Sequence, residues 1–321
     1  MAYIGFLDIL GTRAKAALGD NDYTKLINLF NDKLYHLSEA YKGKVYAYSD
    51  NAYVQFEDLN DMINFFRKLR DALMFDNYYF CAAGDKGTLS SKSEPFENKA
   101  GFYSMKFTSE AAVEVYRLQS QCTGIGVFLS DTIVANLIRR NQRSFCSSIC
   151  LKNELVDNEF ALMPVYDISY TGVSTEKIKF ILADYLITAS TNPRAGRYYI
   201  SAIISMLKCI NLSHFTNDDE LHTIIKLVSF QTIPECFQRI DHNKTYIIYF
   251  FFALIENVLS SIDSDNFLEL EARKVCENII IEFGIEHSEL ISNLSKMPSA
   301  IIKEKNKQVF LSILFNINQE K

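Results

Sequence analysis

Several residue patterns that mark familiar protein classes are absent from this sequence of 321 residues. None of its seven cysteines forms a CxxC pair, and the one close pair, Cys146 and Cys150, has no histidine near it. We therefore expect no zinc site, and we expect reduced, mostly buried thiols, which suit a cytoplasmic protein. The histidines are isolated, and their spacing shows no serine–histidine–acid arrangement.

The sequence also lacks an excess of basic charge and a long apolar run. Its net charge of −6 gives no global reason to expect binding of nucleic acid, although a nucleotide site can still be locally basic. The N-terminal apolar run has no basic region before it and is interrupted by Asp8, so we expect no signal peptide. The longest strongly apolar stretch, residues 246–259, is too short to span a bilayer and contains Glu256. We expect a buried helix there, with a peripheral membrane helix as the alternative.

The first half of the chain alternates between the periods of strands and helices. The pattern predicts a strand at 3–10, a helix at 23–41, two strands within 44–56, a helix at 59–74 and a strand at 77–83. The bend between the paired strands falls at Ser49, Asp50 and Asn51. This strand–helix–strand–strand–helix–strand order indicates an α+β fold with a ferredoxin-like (palm-type) sheet.

The rest of the chain divides into a continuation of that domain and a helical region. A polar loop at 84–101 is expected, followed by a helix at 110–119, a strand at 124–129, a helix at 132–141 and a closing hairpin of 149–155 and 159–168. Strand signals almost vanish after about residue 174, and helical stretches with polar breaks continue to the end. We therefore expect two domains, 1–172 and 173–321.

Two aspartates carry the candidate chemistry. Asp8 lies late in the first predicted strand, where a lone buried carboxylate is costly unless it is paired, hydrogen-bonded or bound to a metal. The first and third strands of a ferredoxin-like sheet are neighbours, so the end of the first strand should meet the turn that holds Asp50. Two carboxylates meeting there repel unless cations intervene, which predicts two Mg²⁺ ions about 3.5–4 Å apart that grip a triphosphate. Gly11 would let backbone N–H groups approach phosphate oxygens. Either aspartate alone is better explained as a turn former or a cap, but both at the matching corners of one such pattern favour the metal site.

The segments "FLDILG" (6–11) and "YSDN" (48–51), in this order, resemble the two metal-binding corners of class III nucleotidyl cyclases. The resemblance covers about residues 1–168 and is strongest to the bacterial pyrimidine cyclases of antiphage defence, the Pycsar type. It implies a lyase that converts a nucleoside triphosphate to a 3′,5′-cyclic monophosphate and pyrophosphate. It also implies a cytoplasmic homodimer, two Mg²⁺ or Mn²⁺ ions bound by Asp8, Ile9 and Asp50, and a separate effector protein that responds to the cyclic nucleotide.

The same resemblance assigns a transition-state residue on a helix. The segment "SEAAVEVYRLQ" (109–119) is similar to the helix that carries the family's asparagine and arginine. Arg117 matches the arginine, whereas Val113 occupies the asparagine position, which is a departure from the family. A competing alignment uses Asn136 and Arg140, which have the same spacing. Arg117 is also explained as an ordinary solvated helix arginine.

The residues that would contact the nucleotide are Gly11, Thr12, Tyr46 and Lys106. Tyr46 replaces the family's base-contacting lysine, and Lys106 falls where a carboxylate would contact a purine. Because lysine can only donate, it suits the carbonyl oxygens of uracil. This favours a uridylate cyclase that converts UTP to cyclic UMP as a second messenger, with cyclic CMP made from CTP as the alternative.

Two further classes stay open. The first is a catalytically degenerate sensor that binds a nucleotide and signals through the helical region. The second is a nucleotidyltransferase on the same palm, which is disfavoured because Tyr48, Ser49, Asp50 and Asn51 stand where such enzymes carry Gly-Gly-Asp-Asp.

Overall fold

The structure is a computed structural model of the chain, which divides into two compact units. The first unit comprises Met1–Cys146 with Leu151–Ser169, and the second comprises Ser147–Cys150 with Tyr170–Lys321. The domain boundary expected after residue 172 stays a prediction. The structure describes residues 2–12, 16–17, 19–89, 96–99, 102–105, 109–122, 124–139, 148–156, 159–170, 173–174, short stretches between 176 and 206, 243–260, 266–299 and 301–319.

The first six elements of the first unit follow the predicted order. They are β1 (Tyr3–Ile9), α1 (Asp20–Ala40), β2 (Lys44–Tyr48), β3 (Asn51–Phe56), α2 (Leu59–Met74) and β4 (Phe80–Lys86). Their strands lie in the order β2-β3-β1-β4, and each is antiparallel to its neighbour. This arrangement confirms the α+β class and the ferredoxin-like sheet, in which β1 and β3 are adjacent.

The sheet continues beyond β4. The later elements are β5 (Phe96–Lys99), β6 (Phe102–Met105), α3 (Glu110–Gln121), β7 (Gly126–Leu129), α4 (Asp131–Arg139), β8 (Ser148–Val156) and β9 (Glu159–Asp167). The full strand order is β2-β3-β1-β4-β7-β9-β8, with β7 parallel to β4, whereas β5 and β6 form a separate two-stranded sheet. The helices around 110–119 and 132–141 and the closing hairpin therefore lie where the sequence predicts them.

The prediction of a polar loop at 84–101 is wrong in two places, where the structure has strands. β4 continues to Lys86, because Tyr3 and Ile4 of β1 pair with Lys86 and Asp85. The Asp85 carboxylate, which reads as a loop residue, accepts a hydrogen bond from the Ser130 hydroxyl at 2.5 Å. Farther on, Phe96–Lys99 pairs with Phe102–Met105 as a hairpin. Long-range pairing has overridden the local preference of polar residues and glycine for loops.

Helices α1 and α2 cover one face of the sheet. The Asp58 side chain caps α2 by accepting hydrogen bonds from the backbone N–H groups of Asn60 (2.7 Å) and Asp61 (3.4 Å). Leu7 and Ile9 of β1 belong to the core cluster on this face. Gly5 is required by close packing, since a Cβ atom there would lie 2.5 Å from the ring of Phe66. Because side chains alternate along a strand, Phe6 and Asp8 point to the opposite face.

The described elements of the second unit after residue 242 are helices. They are α5 (Asn243–Ser260), α6 (Asn266–Phe283), α7 (His287–Leu294) and α8 (Glu304–Gln319). Phe251 of α5 packs against Phe283 and Phe310, with ring centroids 5.3 and 5.8 Å apart. Residues 207–242 of the predicted helical region lie outside the described residues. None of the helices in the described part of the chain has the length and apolarity needed to cross a membrane.

Glu256, the charged residue in the apolar stretch, is buried in this second unit and fully engaged. Its Oε2 accepts hydrogen bonds from the Lys303 backbone N–H and from Asn306 Nδ2, both at 2.9 Å. Its Oε1 accepts a hydrogen bond from the Ser260 hydroxyl at 2.6 Å. The carboxylate of α5 therefore supplies the cap at the start of α8, where backbone N–H groups have no partner within the helix.

Candidate active site

Asp8 and Asp50 meet at the end of the two central strands. Asp8 is opposite Asn51 in the β1–β3 register, and Asp50 precedes Asn51 in the turn between β2 and β3. The Ile9 backbone N–H donates a hydrogen bond to the Asp50 carbonyl oxygen at 2.9 Å, which ties the strand to the turn. The structure thus brings together the two aspartates that the sequence selects, while their roles stay predictions.

The Asp50 carboxylate is held by two side chains. Thr12 Oγ1 donates a hydrogen bond to its Oδ2 at 2.7 Å, and Asn51 Nδ2 donates to its Oδ1 at 3.0 Å. Thr12 is 8% exposed. Gly11 has a φ of 84°, in the left-handed region that glycine adopts without strain, and this turn carries the chain from β1 to Thr12. Thr12, a predicted substrate contact, therefore donates its hydroxyl hydrogen bond to Asp50 and positions that carboxylate.

The Asp8 carboxylate differs from that of Asp50 in its surroundings. Among the described residues its half-buried carboxylate has neither a hydrogen-bond donor nor a basic partner. Burial raises the pKa of Asp8 to about 6, and the negative charge of Asp50 adds to the increase. Loss of hydration and repulsion by a like charge both disfavour the ionised form. A carboxylate in this position gains from any cation that reaches it.

The donor set fits Mg²⁺ or Mn²⁺, which prefer carboxylate and carbonyl oxygens. Each oxygen of Asp50 accepts one hydrogen bond and retains a lone pair for a metal. The Ile9 side chain is a hydrocarbon, so only its backbone carbonyl oxygen could contribute a ligand. Within the described part of the chain, no group of three or more histidine, cysteine or acidic residues forms a metal cluster.

An aromatic surface adjoins the aspartates on the same face of the sheet. Opposed residues in antiparallel strands share a face, so the registers align Tyr48 with Asn51 and Asp8, and align Tyr46 with Tyr53 and Phe6. The ring of Phe6 lies 4.8 Å from that of Tyr53 and 5.2 Å, edge-on, from that of Tyr116 on α3.

Two of these phenols have raised pKa values. Burial raises the pKa of Tyr53 to about 12, with added contributions from Tyr48 and Tyr116. Burial also raises the pKa of Tyr48, with Tyr116, Asp8 and Asp50 adding to the effect. The phenols of Tyr48 and Tyr53 are therefore protonated at neutral pH and can act as hydrogen-bond donors.

Two of the other predicted site residues lie exposed on α3. Arg117 is exposed on α3, and its Nη2 forms an ion pair with Glu114 Oε2 at 2.7 Å. Val113, in the position of the family's asparagine, is 62% exposed on the same helix. Asn136 of the competing alignment lies on α4. Lys106 and Arg140 lie outside the described residues, so their predicted roles stay predictions.

The site has three neighbouring residues to which no sequence pattern assigned a role: Tyr48, Asn51 and Tyr116. The signal for Tyr48 was available, because alternation along β2 places it on the same face as Tyr46. Asn51 could be found from its position next to Asp50. Tyr116 had no local signal, since its place depends on how α3 crosses the sheet.

Comparisons with known proteins find structural likeness only. No protein-family model and no curated protein matches the sequence. The solved structures similar to this chain include the guanylyl cyclase Cya2, at 13% identity and a TM-score of 0.40, where the match covers 54% of this chain and 93% of that one. The guanylate cyclase domain of RhGC from Catenaria anguillulae in complex with GTP matches at 8% identity and a TM-score of 0.40, over 52% and 94% of the two chains. The adenylyl cyclase CyaB from P. aeruginosa matches at 12% identity and a TM-score of 0.35, over 52% and 92%. At these values the likeness does not establish an activity for this chain.

Proposed function

We propose that this protein is a nucleotidyl cyclase, a lyase that converts a nucleoside triphosphate to its 3′,5′-cyclic monophosphate and pyrophosphate. The observation that carries the proposal is the meeting of Asp8 and Asp50 at the ends of adjacent strands, with no cation from the described residues to offset their charges. Such a pair is suited to divalent ions and, through them, to a triphosphate.

The residues of the chain hold and orient the reacting groups. Two Mg²⁺ or Mn²⁺ ions held by Asp8, Asp50 and the Ile9 backbone would lower the pKa of the ribose 3′-hydroxyl and neutralise the triphosphate. Thr12 and Asn51 fix the orientation of the Asp50 carboxylate. The 3′-oxygen attacks the α-phosphorus in line, the bond from that phosphorus to the bridging oxygen breaks, and pyrophosphate leaves. The 3′-hydroxyl proton passes to water, so no dedicated protein base is required.

We propose UTP as the substrate and cyclic UMP as the product, with CTP and cyclic CMP as the alternative. This preference is supported by Lys106 and Tyr46, whose side chains can donate to a carbonyl oxygen of uracil. The resemblance to the pyrimidine cyclases supports further proposals: a role in antiphage signalling through a separate effector, a cytoplasmic location, and a homodimer in which Arg117 and Lys106 act on the metal site of the other chain. It also supports a catalytic domain at 1–172, followed by a helical domain at 173–321.

A second candidate is a sensor that binds a nucleotide without converting it. The observation in its favour lies on α3, where Arg117 is engaged by Glu114 and Val113 offers no polar group. If no partner chain contributes a cation, this site would bind a nucleotide but stabilise its transition state poorly.

The test is a product assay with ATP, GTP, CTP and UTP in separate reactions, each with Mg²⁺ or Mn²⁺, resolved by mass. We expect cyclic UMP and pyrophosphate from the wild-type protein. Asp8→Ala and Asp50→Ala should each abolish turnover, while the matched control Asp22→Ala, which removes an exposed carboxylate on α1, should keep it. Nucleotide binding without pyrophosphate release would favour the sensor, and oligonucleotide products would favour a transferase. Undiminished product from an Asp8→Ala/Asp50→Ala double variant would refute the metal assignment.

A further inference from the structure

Two tyrosine side chains converge on the site from different elements. Tyr48 ends β2 and shares a face of the sheet with Asp8, from which Asn51 separates it in the register. Tyr116 comes from α3 and packs edge-on against Phe6, two residues before Asp8 on the same face. Tyr48 also lies two residues before Asp50, at the start of the turn that holds this aspartate.

The hydroxyls of these two tyrosines differ from that of their neighbour Tyr53 in the part of the chain that the structure describes. Among the described residues, neither Tyr48 nor Tyr116 has a hydrogen-bond partner for its hydroxyl. The neighbouring Tyr53 differs, because its hydroxyl donates to the Ala112 carbonyl oxygen at 3.5 Å and so ties β3 to α3. Tyr48 is 41% exposed and Tyr116 is 51% exposed, so both side chains are partly open to solvent.

The surroundings explain why such donors are needed. A nucleoside triphosphate brings several anionic oxygens, and each oxygen buried against protein needs a donor or a cation. The described residues place no basic side chain on Asp8 or Asp50, and Arg117 on the nearby helix is paired with Glu114. A phenol is a donor at neutral pH and adds no charge. Tyr48 and Tyr116 are therefore partly exposed donors next to the aspartates.

We propose that Tyr48 and Tyr116 bind the nucleotide held at Asp8 and Asp50 by donating hydrogen bonds to its oxygen atoms. The inference rests on the proposed function, since it takes the ligand from there. The acceptors are oxygens of the triphosphate or of the ribose, which share this chemistry.

The experiment measures binding without turnover. Calorimetry with Mn²⁺ and the 3′-deoxy analogue of each nucleoside triphosphate, which has no 3′-oxygen and cannot cyclise, is applied to the full chain. The variants are Tyr48→Phe, Tyr116→Phe and the double variant. Tyr35→Phe is the matched control, because Tyr35 is exposed on α1 and its hydroxyl donates to Glu39 at 3.0 Å. Tyr48→Phe and Tyr116→Phe each remove a hydroxyl that makes no hydrogen bond to the described residues. Both substitutions should therefore leave the thermal midpoint of unfolding unchanged.

We expect each site variant to bind about tenfold more weakly and the control to bind as the wild type does. Inorganic tripolyphosphate with Mn²⁺ separates the acceptors: a loss seen also with this probe assigns the hydroxyls to the phosphates, and a loss confined to the nucleotide assigns them to the ribose. A double variant that binds within twofold of a binding wild type overturns the inference and leaves the proposed function intact. A wild-type protein that neither binds the analogues nor forms product overturns both.

Discussion

At Asp8, burial and the charge of Asp50 act in the same direction and favour the protonated carboxyl. The folded-state pKa of about 6 lies above the ordinary value of 3.8, so the folded chain holds this proton more tightly than the unfolded chain does. The stability that comes from the proton is complete below pH 3.8 and is lost as the pH rises through about 6. Without metal, Asp8 therefore destabilises the folded protein at neutral pH.

Asp8→Asn should increase the free energy of unfolding in EDTA at pH 7.5 by about 1 kcal/mol. The expected value is well below the full pKa difference, because Asp8 is half-exposed and solvent screens part of the repulsion. At pH 4 the difference should vanish, since wild-type Asp8 is then largely protonated. Urea unfolding followed by circular dichroism at both pH values measures this, with Asp22→Asn as the control. A variant that is less stable than the wild type at pH 7.5 would contradict the electrostatic account.

The turn between β2 and β3 shows how an element sets the position of the site. Ser49 and Asp50 form a two-residue connection, and Ser49 has a φ of 56°. Glycine is favoured at such a position, because it adopts a positive φ without strain. The hydroxyl of Ser49 shares a hydrogen bond with that of Tyr23 at 2.6 Å, so α1 supports the turn that presents Asp50.

In the helical unit, the packing of two elements depends on one buried carboxylate. Glu256→Ala should lower the free energy of unfolding by about 3 kcal/mol, because the Ser260 hydroxyl, the Lys303 N–H and the Asn306 amide lose their acceptor. Thermal and urea denaturation of the full chain measure the effect.

The control for this change is Glu304→Ala at the start of the same helix. Glu304 pairs with Lys307 at 3.0 Å, but its side chain is 73% exposed, so its loss should cost less than about 1 kcal/mol. Equal effects of the two substitutions would show that the buried hydrogen bonds of Glu256 contribute little to the stability of α5 against α8.

For the whole molecule, the spacing of hydrophobic residues in the sequence was enough to predict most of the order of helices and strands. The helix predicted at 59–74 has its observed bounds, since its apolar residues repeat at helical spacing. The adjacency of β1 and β3 followed from the order of elements, and with it the meeting of Asp8 and Asp50. These features depend on patterns that are local or on a known connection rule.

What the sequence could not supply depends on contacts between distant segments. The end of β4 depends on its pairing with β1, and the hairpin of Phe96–Lys99 and Phe102–Met105 has no strong alternation. Tyr116 reaches the site through the packing of α3 on Phe6, which no spacing in the sequence encodes. Glu114 precedes Arg117 by three residues, a spacing that permits their ion pair but does not determine whether it forms.

Titration with Mn²⁺, followed by electron paramagnetic resonance, tests most directly whether Asp8 and Asp50 form one divalent-cation site. At pH 8, where Asp8 is ionised, the wild-type protein should bind Mn²⁺, and binding should weaken as the pH falls below about 6. Asp8→Asn and Asp50→Asn should each remove this binding, and Asp22→Asn should preserve it. Mn²⁺ binding that survives either site substitution at wild-type strength would contradict the account.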